Sequence, residues 1–519
     1  MFEGMQEAIQ QIQIAVPRVF ELNVLGVIVA SSLYGIFVGA IPGLTATMAV
    51  ALVVPLTFFL TDIQAIAAIV TTVTCSIFAG DIPATLVRIP GTPASAAYAN
   101  DAYALTRQGR PGYALGISLV FSVAGGLFGT LVLSLAAPQL ARFATEFKSY
   151  EYFWLFVLGL TCAAIVSDDS RLKGAFALLI GLLLSCVGLG TDFSAPRLTF
   201  GLDQLITGIN FIPAMIGLFG ISEVLRNSLA IGSNTNSTNE SSTAGQNSEA
   251  SAIQTVLSVM PLAIRRIPSL LRSSSVGSLM GMLPGAGADI AAWISYALSK
   301  RFSKSPEQYG SGSEEGLADA TGANNAALGS AWVPALVFGI PGDSVTAIAI
   351  GVLYMKNIEP GPDIFDPAAN PQQTTLVYSI FVTFVIANLI LIPMGLLAIR
   401  TGSLLVNIRR SIMLPVIIVF CIVGSYALNA SYFDVAVMLA MGALGFVLEQ
   451  YRVPLGPVVL GIILGSELEH RLIQCLTKST DVREFFASPV SIVLAVCCLA
   501  LWLSPLVSRL IWTDRNGKA

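Results

Sequence analysis

The chain has 519 residues, of which 55% are hydrophobic and only 11% are charged, whereas about 25% of the residues in a typical soluble domain are charged. This composition excludes an ordinary soluble protein and indicates a chain embedded almost entirely in a lipid bilayer. The net charge of −4 gives no reason to expect a nucleic-acid partner. The single histidine, His470, argues against a histidine-rich metal site.

The first segment contains acidic residues and glutamines and lacks the basic region of a cleavable signal peptide. We expect it to form an interfacial helix at the membrane surface. Apolar runs that can enter a bilayer then alternate with polar segments along the chain. The predicted divisions are the interfacial segment, 1–20, a first membrane repeat, 21–230, a flexible polar linker, 231–252, a second membrane repeat, 253–511, and a polar C-terminal tail, 512–519.

The apolar runs predict about 11 to 13 transmembrane crossings when roughly 17–25 residues are counted for each. Runs near 45–60, 323–339 and 453–466 are too short to span a bilayer alone and are predicted to be half-helices or re-entrant arms. Basic residues on both sides of the linker, beginning with Arg226 and Arg265, favour its placement on the cytoplasmic side.

Pro-Gly pairs divide apolar sequence at two places in the first half and at two matching places in the second. In each half a lone proline precedes the later pair by the same step of seven residues (90 − 83 and 341 − 334). Proline cannot continue a helix cleanly, and glycine accepts the positive φ of a chain reversal, so each pair predicts a helix break. The pairs are Pro42-Gly43, Pro90-Gly91, Pro284-Gly285 and Pro341-Gly342.

Broken backbone at membrane depth has a limited set of uses. Hydrocarbon offers no hydrogen bonds, so such backbone persists only where it is buried in protein or lines a wet cavity. Repeated halves with interruptions at corresponding positions are typical of secondary transporters, whose substrate site lies between the halves. The sequence therefore predicts an all-α polytopic membrane protein with two repeated, inverted halves and Pro-Gly-broken re-entrant helices.

The helix starts that follow these breaks are predicted to bind an organic carboxylate. A helix N-terminus exposes orphan amides and carries about half a positive charge, and neighbouring hydroxyls add donors. The alternative for each position is an ordinary kink, a close-packing glycine, or a hydroxyl bonded to its own helix. The predicted substrate-binding residues are Pro42, Gly43, Leu44, Thr45, Thr47, Arg88, Pro90, Gly91, Thr92, Ser95, Pro284, Gly285, Ala286, Gly287, Pro341, Gly342, Ser344 and Thr346.

Ionisable groups near the breaks have two interpretations each. Arg88 could clamp a substrate carboxylate with its planar fork, or it could pair with Asp81, seven residues earlier on the same helix face. Unwound carbonyls and nearby oxygens could hold a coupling Na⁺ or H⁺, whereas simple helix capping is the alternative for the aspartates. The predicted coupling-ion residues are Asp289, Asn324, Asn325 and Asp343, and no other metal or cofactor is expected.

Four long stretches of the chain carry distinctive motifs in a fixed order: 39–57, 89–116, 281–304 and 324–351. In these stretches the chain resembles the large membrane subunit of the tripartite tricarboxylate transporter family. The resemblance covers nearly the whole chain and keeps the family's motif order, although Arg88 and Gly322 stand where the family more often has an uncharged polar and an acidic residue. It implies a bacterial inner-membrane permease that works with a small membrane subunit and a periplasmic solute-binding protein, driven by an ion gradient.

The predicted function is secondary import of citrate-like di- or tricarboxylates by alternating access, in which a mobile core carries the four breaks past a scaffold that could also form a homodimer. A carboxylate channel and an integral membrane enzyme are the alternatives. The sequence shows no matched ring of charged pore residues and no cluster of nucleophile and base, so we expect a transporter without enzymatic activity.

Overall fold

A computed structural model of the chain describes residues 2–42, 44–166, 170–190, 195–233, 252–406, 410–479 and 481–516. Gly43, most of the predicted linker and the last three residues of the predicted tail lie outside the described residues. The described part of the chain is almost entirely α-helical, as the composition and the apolar runs predict.

The helices of the first half begin with the interfacial segment and end at the linker. They are α1 (Phe2–Val19), α2 (Leu22–Gly39), α3 (Ala46–Thr57), α4 (Asp62–Ala79), α5 (Asp81–Val87), α6 (Ala99–Arg107), α7 (Pro111–Ala144), α8 (Ser149–Val166), α9 (Arg171–Ser185), α10 (Phe211–Met215) and α11 (Ser222–Ser233). Between them lie a 3-10 turn, Ser95–Ala97, a π-helical segment, Ile216–Ile221, and the paired antiparallel strands β1 (Gly188–Leu189) and β2 (Pro196–Arg197).

The second half has a similar series of long and short helices. They are α12 (Ala252–Arg265), α13 (Ile267–Gly281), α14 (Gly287–Phe302), α15 (Glu314–Ser330), α16 (Trp332–Phe338), α17 (Ser344–Met355), α18 (Pro371–Val406), α19 (Arg410–Asn429), α20 (Tyr432–Gln450), α21 (Leu455–Lys478) and α22 (Pro489–Asn516).

Several helices could cross a membrane. Among the described residues, five segments are long and apolar enough by length and composition: Leu22–Gly39, Asp62–Val87, Pro111–Ala144, Pro371–Leu404 and Tyr432–Gln450. Shorter apolar helices include Ala46–Thr57 and Ser344–Met355, which flank Pro-Gly breaks. The helices indicate a multi-pass membrane protein, and the number of crossings stays a prediction.

The chain divides into two compact units. The first comprises Met1–Arg142 and Ile212–Phe446, and the second comprises Phe143–Phe211 and Val447–Ala519. Each unit thus combines segments of both predicted repeats. The four Pro-Gly pairs belong to the first unit.

Helices α4 and α15 occupy the interior of the first unit. Every residue from Ala65 to Ala79 in α4 and from Gly316 to Ser330 in α15 is buried. Both helices consist mainly of small residues in this region, so neighbouring helices approach their backbones closely. Each of the two is followed by a seven-residue helix, α5 or α16, which ends just before a Pro-Gly pair.

Glycines four residues apart let α2 pack on α4 and α13 pack on α15. Any added side chain would collide with a backbone carbonyl, so only glycine permits these contacts. A Cβ atom would lie 2.6 Å from the Thr72 carbonyl oxygen at Gly35, 2.4 Å from that of Ser76 at Gly39, 2.2 Å from that of Ala323 at Gly277, and 2.3 Å from that of Ala327 at Gly281. The two helix pairs share one packing pattern.

The first unit has two ends defined by its loops. At the Leu60 end, formed by loops 58–61 and 356–370, the Lys356 ammonium donates to the Leu60 carbonyl at 2.5 Å. At the Gly310 end, formed by loops 108–110 and 303–313, Arg110 pairs with Glu314 at 3.1 Å. Helix α3 therefore finishes at the Leu60 end, whereas α14 runs into the Gly310 end.

The second unit contains α8, α9, α21, α22 and the two short strands. Gly181 of α9 packs against Gly461 of α21, and Arg197 of β2 pairs with Glu469 of α21 at 2.8 Å. Helix α21 continues for 24 residues, beyond the apolar run at 453–466, and the prediction of a half-helix or re-entrant arm there stays a prediction. The apolar run is followed by a polar helical part whose charged side chains contact the rest of this unit, as Glu469 does with Arg197 and Lys478 with Ser149.

Candidate functional site

The helices break at each of the four Pro-Gly pairs. In the first half, α2 and α3 are separated at the first pair, and α5 ends before the second. In the second half, the breaks fall between α13 and α14 and between α16 and α17. We name these breaks corner 1 (40–47), corner 2 (88–95), corner 3 (282–289) and corner 4 (339–346).

Corners 2 and 4 begin with the same backbone turn. Each follows a seven-residue helix, and each starts with a left-handed residue, Arg88 with φ 57° and Gly339 with φ 69°. The next amide then bonds back to the helical proline: Ile89 to the Pro83 carbonyl and Ile340 to the Pro334 carbonyl, both at 3.2 Å. Each bond spans six residues, so a left-handed residue and a backbone bond close both helix ends in the same way.

The same two corners end in matching reciprocal caps. At corner 2, the Thr92 amide donates to Ser95 Oγ and the Ser95 amide donates to Thr92 Oγ1, both at 3.1 Å. At corner 4, the Asp343 amide donates to Thr346 Oγ1 at 2.9 Å, and the Thr346 amide donates to Asp343 Oδ1 at 2.8 Å. Asp343 thus caps α17, and side chains of the chain itself satisfy these four amides.

Two crosswise contacts between the corners link the first half of the chain to the second, and a third links the two corners of the second half. Corner 1 contacts corner 4, corner 2 contacts corner 3, and corners 3 and 4 contact each other. The contacts are Thr47 Oγ1 with Ser344 Oγ at 3.3 Å, the Ala94 amide with Asp289 Oδ1 at 3.0 Å, and the Gly285 amide with the Gly342 carbonyl at 2.9 Å. The four corners therefore form one cluster in the first unit.

The first turns of α3 and α14 retain donors. Thr45 caps α3 by accepting the Met48 amide at 3.2 Å, but the amides of Ala46 and Thr47 have no acceptor among the described residues. The Gly287 amide at the start of α14 likewise has none in the described part of the chain. Helix N-termini with such orphan amides attract anions.

The helix starts of α3 and α14 lie on either side of one short segment, Asp343 and Ser344. Thr47 in α3 reaches Ser344, while a Cβ atom on Gly287 would lie 2.8 Å from the Asp343 Cβ. Gly287 has φ 60°, so no other residue fits there easily. Amide donors from both halves are consequently brought near one another.

Most of the remaining predicted residues are packed inside the corners. Pro42 and Leu44 at corner 1, Ala286 at corner 3, and Pro341 and Gly342 at corner 4 are buried, and Pro284 and Gly285 are half-buried. Gly91 packs so closely that a Cβ atom would lie 2.6 Å from the Gly80 Cα. Corner 2 is the most open, since Pro90 is exposed whereas its counterpart at corner 4 is buried.

Arg88 extends from corner 2 towards an exposed surface. Its Nε donates to the Asn100 Oδ1 at 3.0 Å. Asp81, the alternative partner considered from the sequence, instead accepts the Tyr98 hydroxyl at 2.6 Å. The Arg88 guanidinium is therefore not committed to Asp81 in this structure.

The other predicted coupling-ion residues lie in different surroundings. Asp289 is exposed and accepts the Ala94 amide. Asn324 is buried beside the Tyr98 hydroxyl. Asn325 donates to Ser122 Oγ at 2.9 Å, and its buried Oδ1 has no donor among the described residues. The structure brings Asn324 and Asn325 close to the break-bearing helices without joining them to Asp289.

Sequence reasoning missed the polar face of α7 that borders this region. Ser118 and Ser122 occur four residues apart, and they lie against Asp81 and Asn325 respectively. Asn388 of α18 packs against Gly126, one further turn along the same face. The spacing of residues 118, 122 and 126 was a visible signal, because helical positions four apart share a face.

The apolar helices, the four interrupted segments and the cluster that they form define a multi-pass membrane protein of the transporter class. The family model of the tripartite tricarboxylate transporter TctA family matches residues 25–460. The chain belongs to this family, which confirms the resemblance read from its motifs. The family is one of transporters rather than enzymes, and its tripartite organisation implies a small membrane subunit and a periplasmic binding protein as partners.

Two relatives come from Agrobacterium vitis. The chain is 33% identical over 483 residues to an uncharacterized 52.8 kDa protein in the TAR-I ttuC' 3' region, covering 91% of this chain and 92% of the relative. It is 34% identical over 233 residues to an uncharacterized protein in the TAR-II ttuC' 3' region, covering 44% of this chain and 94% of that relative. No solved structure matches the chain.

Proposed function

We propose that this chain is the permease of a tripartite system that imports organic di- or tricarboxylates, such as citrate, across the bacterial inner membrane. Transport is coupled to an ion gradient and proceeds by alternating access. The observation that carries the proposal is the single cluster formed by the four corners, because it gathers helix starts from both halves. Membership of the TctA family supports the substrate class.

The two halves are proposed to be inverted repeats. Helices α2 and α3 approach corner 1 from the Leu60 end, whereas α13 and α14 approach corner 3 from the Gly310 end, where Arg266 before α13 pairs with Glu315. The shared geometry of corners 2 and 4 and the crosswise contacts are what a two-fold axis in the membrane plane would produce. Basic residues such as Arg107 and Lys300 favour a cytoplasmic Gly310 end.

Two helix starts suit a substrate with at least two carboxylates. In this proposal the free amides of α3 bind one carboxylate and those of α14 bind the other. The Thr47 and Ser344 hydroxyls lie between them and orient the substrate. Thr92, Ser95 and Thr346 hold the corners in shape, because their amides are already capped. Arg88 lies at the open side of the cluster as a candidate second clamp.

The coupling ion, Na⁺ or H⁺, is proposed to bind next to the same cluster. Of the four residues predicted from the sequence, Asp343 is occupied by its capping role and Asp289 by the Ala94 amide. Asn325 fits a cation ligand best, since its buried Oδ1 has no donor among the described residues. Amide oxygens of this kind are ordinary ligands for hard cations.

Alternating access is proposed to be elevator-like. The four corners belong to one compact unit, which supports a core that moves as a body while plainer helices form the scaffold. A homodimer built on the scaffold would be consistent with this arrangement, by analogy of fold alone. The small membrane subunit and the binding protein complete the system.

Reconstitution tests the proposed function directly. The permease and its small membrane subunit are placed in proteoliposomes, and labelled citrate is supplied on its periplasmic binding protein. We expect uptake that collapses when an ionophore dissipates the gradient. Conductance that is independent of the gradient would instead identify a channel, and chemical conversion of citrate would identify an enzyme.

Substitutions of Thr47 and Ser344, whose hydroxyls contact each other, test whether the substrate binds at the helix starts. Thr47→Val and Ser344→Ala each remove a donor next to the helix starts, so we expect the KM for citrate to rise several-fold. Thr383→Val is the matched control, because the Thr383 hydroxyl donates to the Ser379 carbonyl of its own helix at 2.7 Å and has no other partner among the residues that the structure describes. Wild-type KM in both corner variants would remove the helix starts from the proposal.

The clamp role of Arg88 has a separate test. Arg88→Gln keeps a polar side chain of similar length that can still reach Asn100, but it removes the positive fork. We expect a higher KM for citrate with little change in thermal stability. An unchanged KM would eliminate the clamp while leaving the helix starts as the binding site.

A further inference from the structure

One buried carboxylate of the first unit has no cationic partner among the described residues. Asp81 lies within the apolar segment Asp62–Val87 and is only 2% exposed. Its Oδ1 accepts the hydroxyl of Tyr98, which is fully buried, at 2.6 Å. The nearest basic residue along the helix, Arg88, donates to Asn100 instead. A carboxylate in this position is costly unless something balances its charge.

The side-chain groups that lie against the Asp81 carboxylate are neutral hydroxyls. The Ser118 hydroxyl lies against the carboxylate but outside hydrogen-bond geometry, and it has no other partner in the described residues. Thr85, one helical turn after Asp81, has a buried hydroxyl that also lacks a partner there. Asn324 lies beside the Tyr98 hydroxyl. The Asp289 carboxylate also acts electrostatically on the Tyr98 hydroxyl. A carboxylate with hydroxyl and amide oxygens nearby is a ligand set for a hard cation.

We propose that Asp81 is the principal ligand of a sodium ion, with the Ser118 and Thr85 hydroxyls and the Asn324 amide oxygen as its neutral neighbours. A proton on Asp81 would also balance the charge, but a cation would in addition use the oxygens of the unpartnered Ser118 and Thr85 hydroxyls as ligands. This inference rests on the proposed function only in naming the ion as the coupling ion. Of the coupling-ion residues predicted from the sequence, this site includes Asn324, and Asp81 takes the place of Asn325 as the principal ligand.

The position of Asp81 explains how such an ion would act on the corners. Asp81 opens α5, which leads directly into corner 2, and its partner Tyr98 follows the 3-10 turn that ends the same corner. Sodium at Asp81 would therefore hold the two sides of corner 2 together. The corresponding position of the second half, by the alignment of Pro83 with Pro334, is Trp332, so this charge is present in one half only.

Sodium binding is measured on the purified full chain in detergent without substrate. NaCl replaces choline chloride at constant ionic strength while the apparent melting temperature is recorded, and KCl serves as a second cation. We expect a saturable rise with Na⁺ in the wild type and none in Asp81→Asn. The matched control is Asp434→Asn, since Asp434 is also buried but accepts the Asn429 amide at 2.7 Å, and its Na⁺ response should remain.

A second, more conservative substitution keeps the experiment informative if Asp81→Asn does not fold. Ser118→Ala keeps the carboxylate, and we expect its half-saturating Na⁺ concentration to rise at least several-fold. A wild-type protein without a Na⁺ response, or a full Na⁺ response in both variants, would overturn the site. Citrate uptake driven by a pH gradient in the absence of Na⁺ would overturn the role of this sodium as the coupling ion. If citrate is not transported at all while Asp81→Asn still abolishes Na⁺ binding, the site stands and the proposed function fails.

Discussion

Arg88 holds a backbone conformation that side chains rarely adopt. Its φ is 57°, in the region that Gly339 occupies at the matching turn of the second half. Left-handed geometry costs a non-glycine residue roughly 1 kcal/mol or more, and strain of this kind gathers at functional sites. The presence of arginine at this turn, with its side chain directed outward, therefore favours a role beyond helix termination.

Single substitutions at the two left-handed positions test this strain. Arg88→Gly should raise the apparent melting temperature, because it removes a conformational cost of about 1 kcal/mol. Gly339→Ala should lower the melting temperature by a similar free energy at the equivalent position. Differential scanning fluorimetry in detergent measures both variants. If Arg88→Gly destabilises the protein as Gly339→Ala does, the arginine contacts outweigh the strain.

Asp101 is the most heavily bonded carboxylate near the Gly310 end. It is fully buried in α6, and its Oδ1 accepts the amides of Gly310, Gly312 and Ser313 at 2.7–2.8 Å. Its Oδ2 accepts the Tyr296 hydroxyl at 2.6 Å. One side chain of the first half thus organises the loop that starts α15 in the second half.

Neutralising Asp101 should loosen this loop. Asp101→Asn keeps the shape but weakens charge-assisted hydrogen bonds, so we expect a loss of about 1–3 kcal/mol of stability. Tyr296→Phe removes a single bond and should cost less. Adding Tyr296→Phe to Asp101→Asn should have little further effect, because the two residues act through one contact. Additive losses in the melting temperature would contradict that coupling.

Helix packing in the first unit depends on glycine at defined positions. A Cβ atom on Gly125 of α7 would lie 2.1 Å from the Gly322 carbonyl oxygen, and one on Gly129 would lie 2.3 Å from that of Ala326. Helix α15 is thus pressed against α7 on one face and against α13 on another. Because the side chains of α15 are small, this helix can remain buried from Gly316 to Ser330.

Gly125→Ala should separate α7 from α15. The backbone carbonyl cannot turn aside, so overpacking should cost about 1–3 kcal/mol. Gly26→Ala is the matched control in a helix, because nothing lies within 4 Å of its added Cβ atom; there alanine should be neutral or stabilising by up to about 1 kcal/mol. Equal melting temperatures for the two variants would mean that α7 and α15 are not closely packed.

The sequence predicts the helix class, the four breaks and their repetition, because proline and glycine act locally and the bilayer restricts where broken backbone can occur. It does not predict the crosswise contacts, since Thr47 and Ser344 are almost 300 residues apart. The partner of Asp81 was also hidden: residue spacing favoured Arg88, but the left-handed turn at Arg88 directs its side chain elsewhere. Such outcomes depend on tertiary geometry that periodicity does not encode.

Both halves contribute to one compact body at the Gly310 end as well as at the corners. The Asp101 contacts join α6 to loop 303–313, while the corner contacts join the broken helices. If the first unit moves as a body during transport, these connections persist throughout the cycle. If the halves instead rock apart, the Gly310 end must open.

A reversible covalent bond at the Gly310 end distinguishes the two motions. The Ala104 Cβ lies 3.7 Å from the position of a Cβ atom on Gly312, and disulfides need a Cβ–Cβ distance of about 3.5–4.5 Å. In a background without the seven native cysteines, Ala104→Cys with Gly312→Cys should therefore crosslink on oxidation. We expect citrate uptake into proteoliposomes to continue in the oxidised state, because the bond lies within one moving body.

The control for this experiment is the single variant Gly312→Cys. Residue 312 has φ 115°, so any side chain there is strained, and the single variant carries that strain without the bond. Oxidised and reduced samples of the double variant should transport at equal rates, each comparable to the single variant. Uptake that stops on oxidation and returns with a reductant would show that α6 and loop 303–313 separate during transport, which is incompatible with a core that moves as one body.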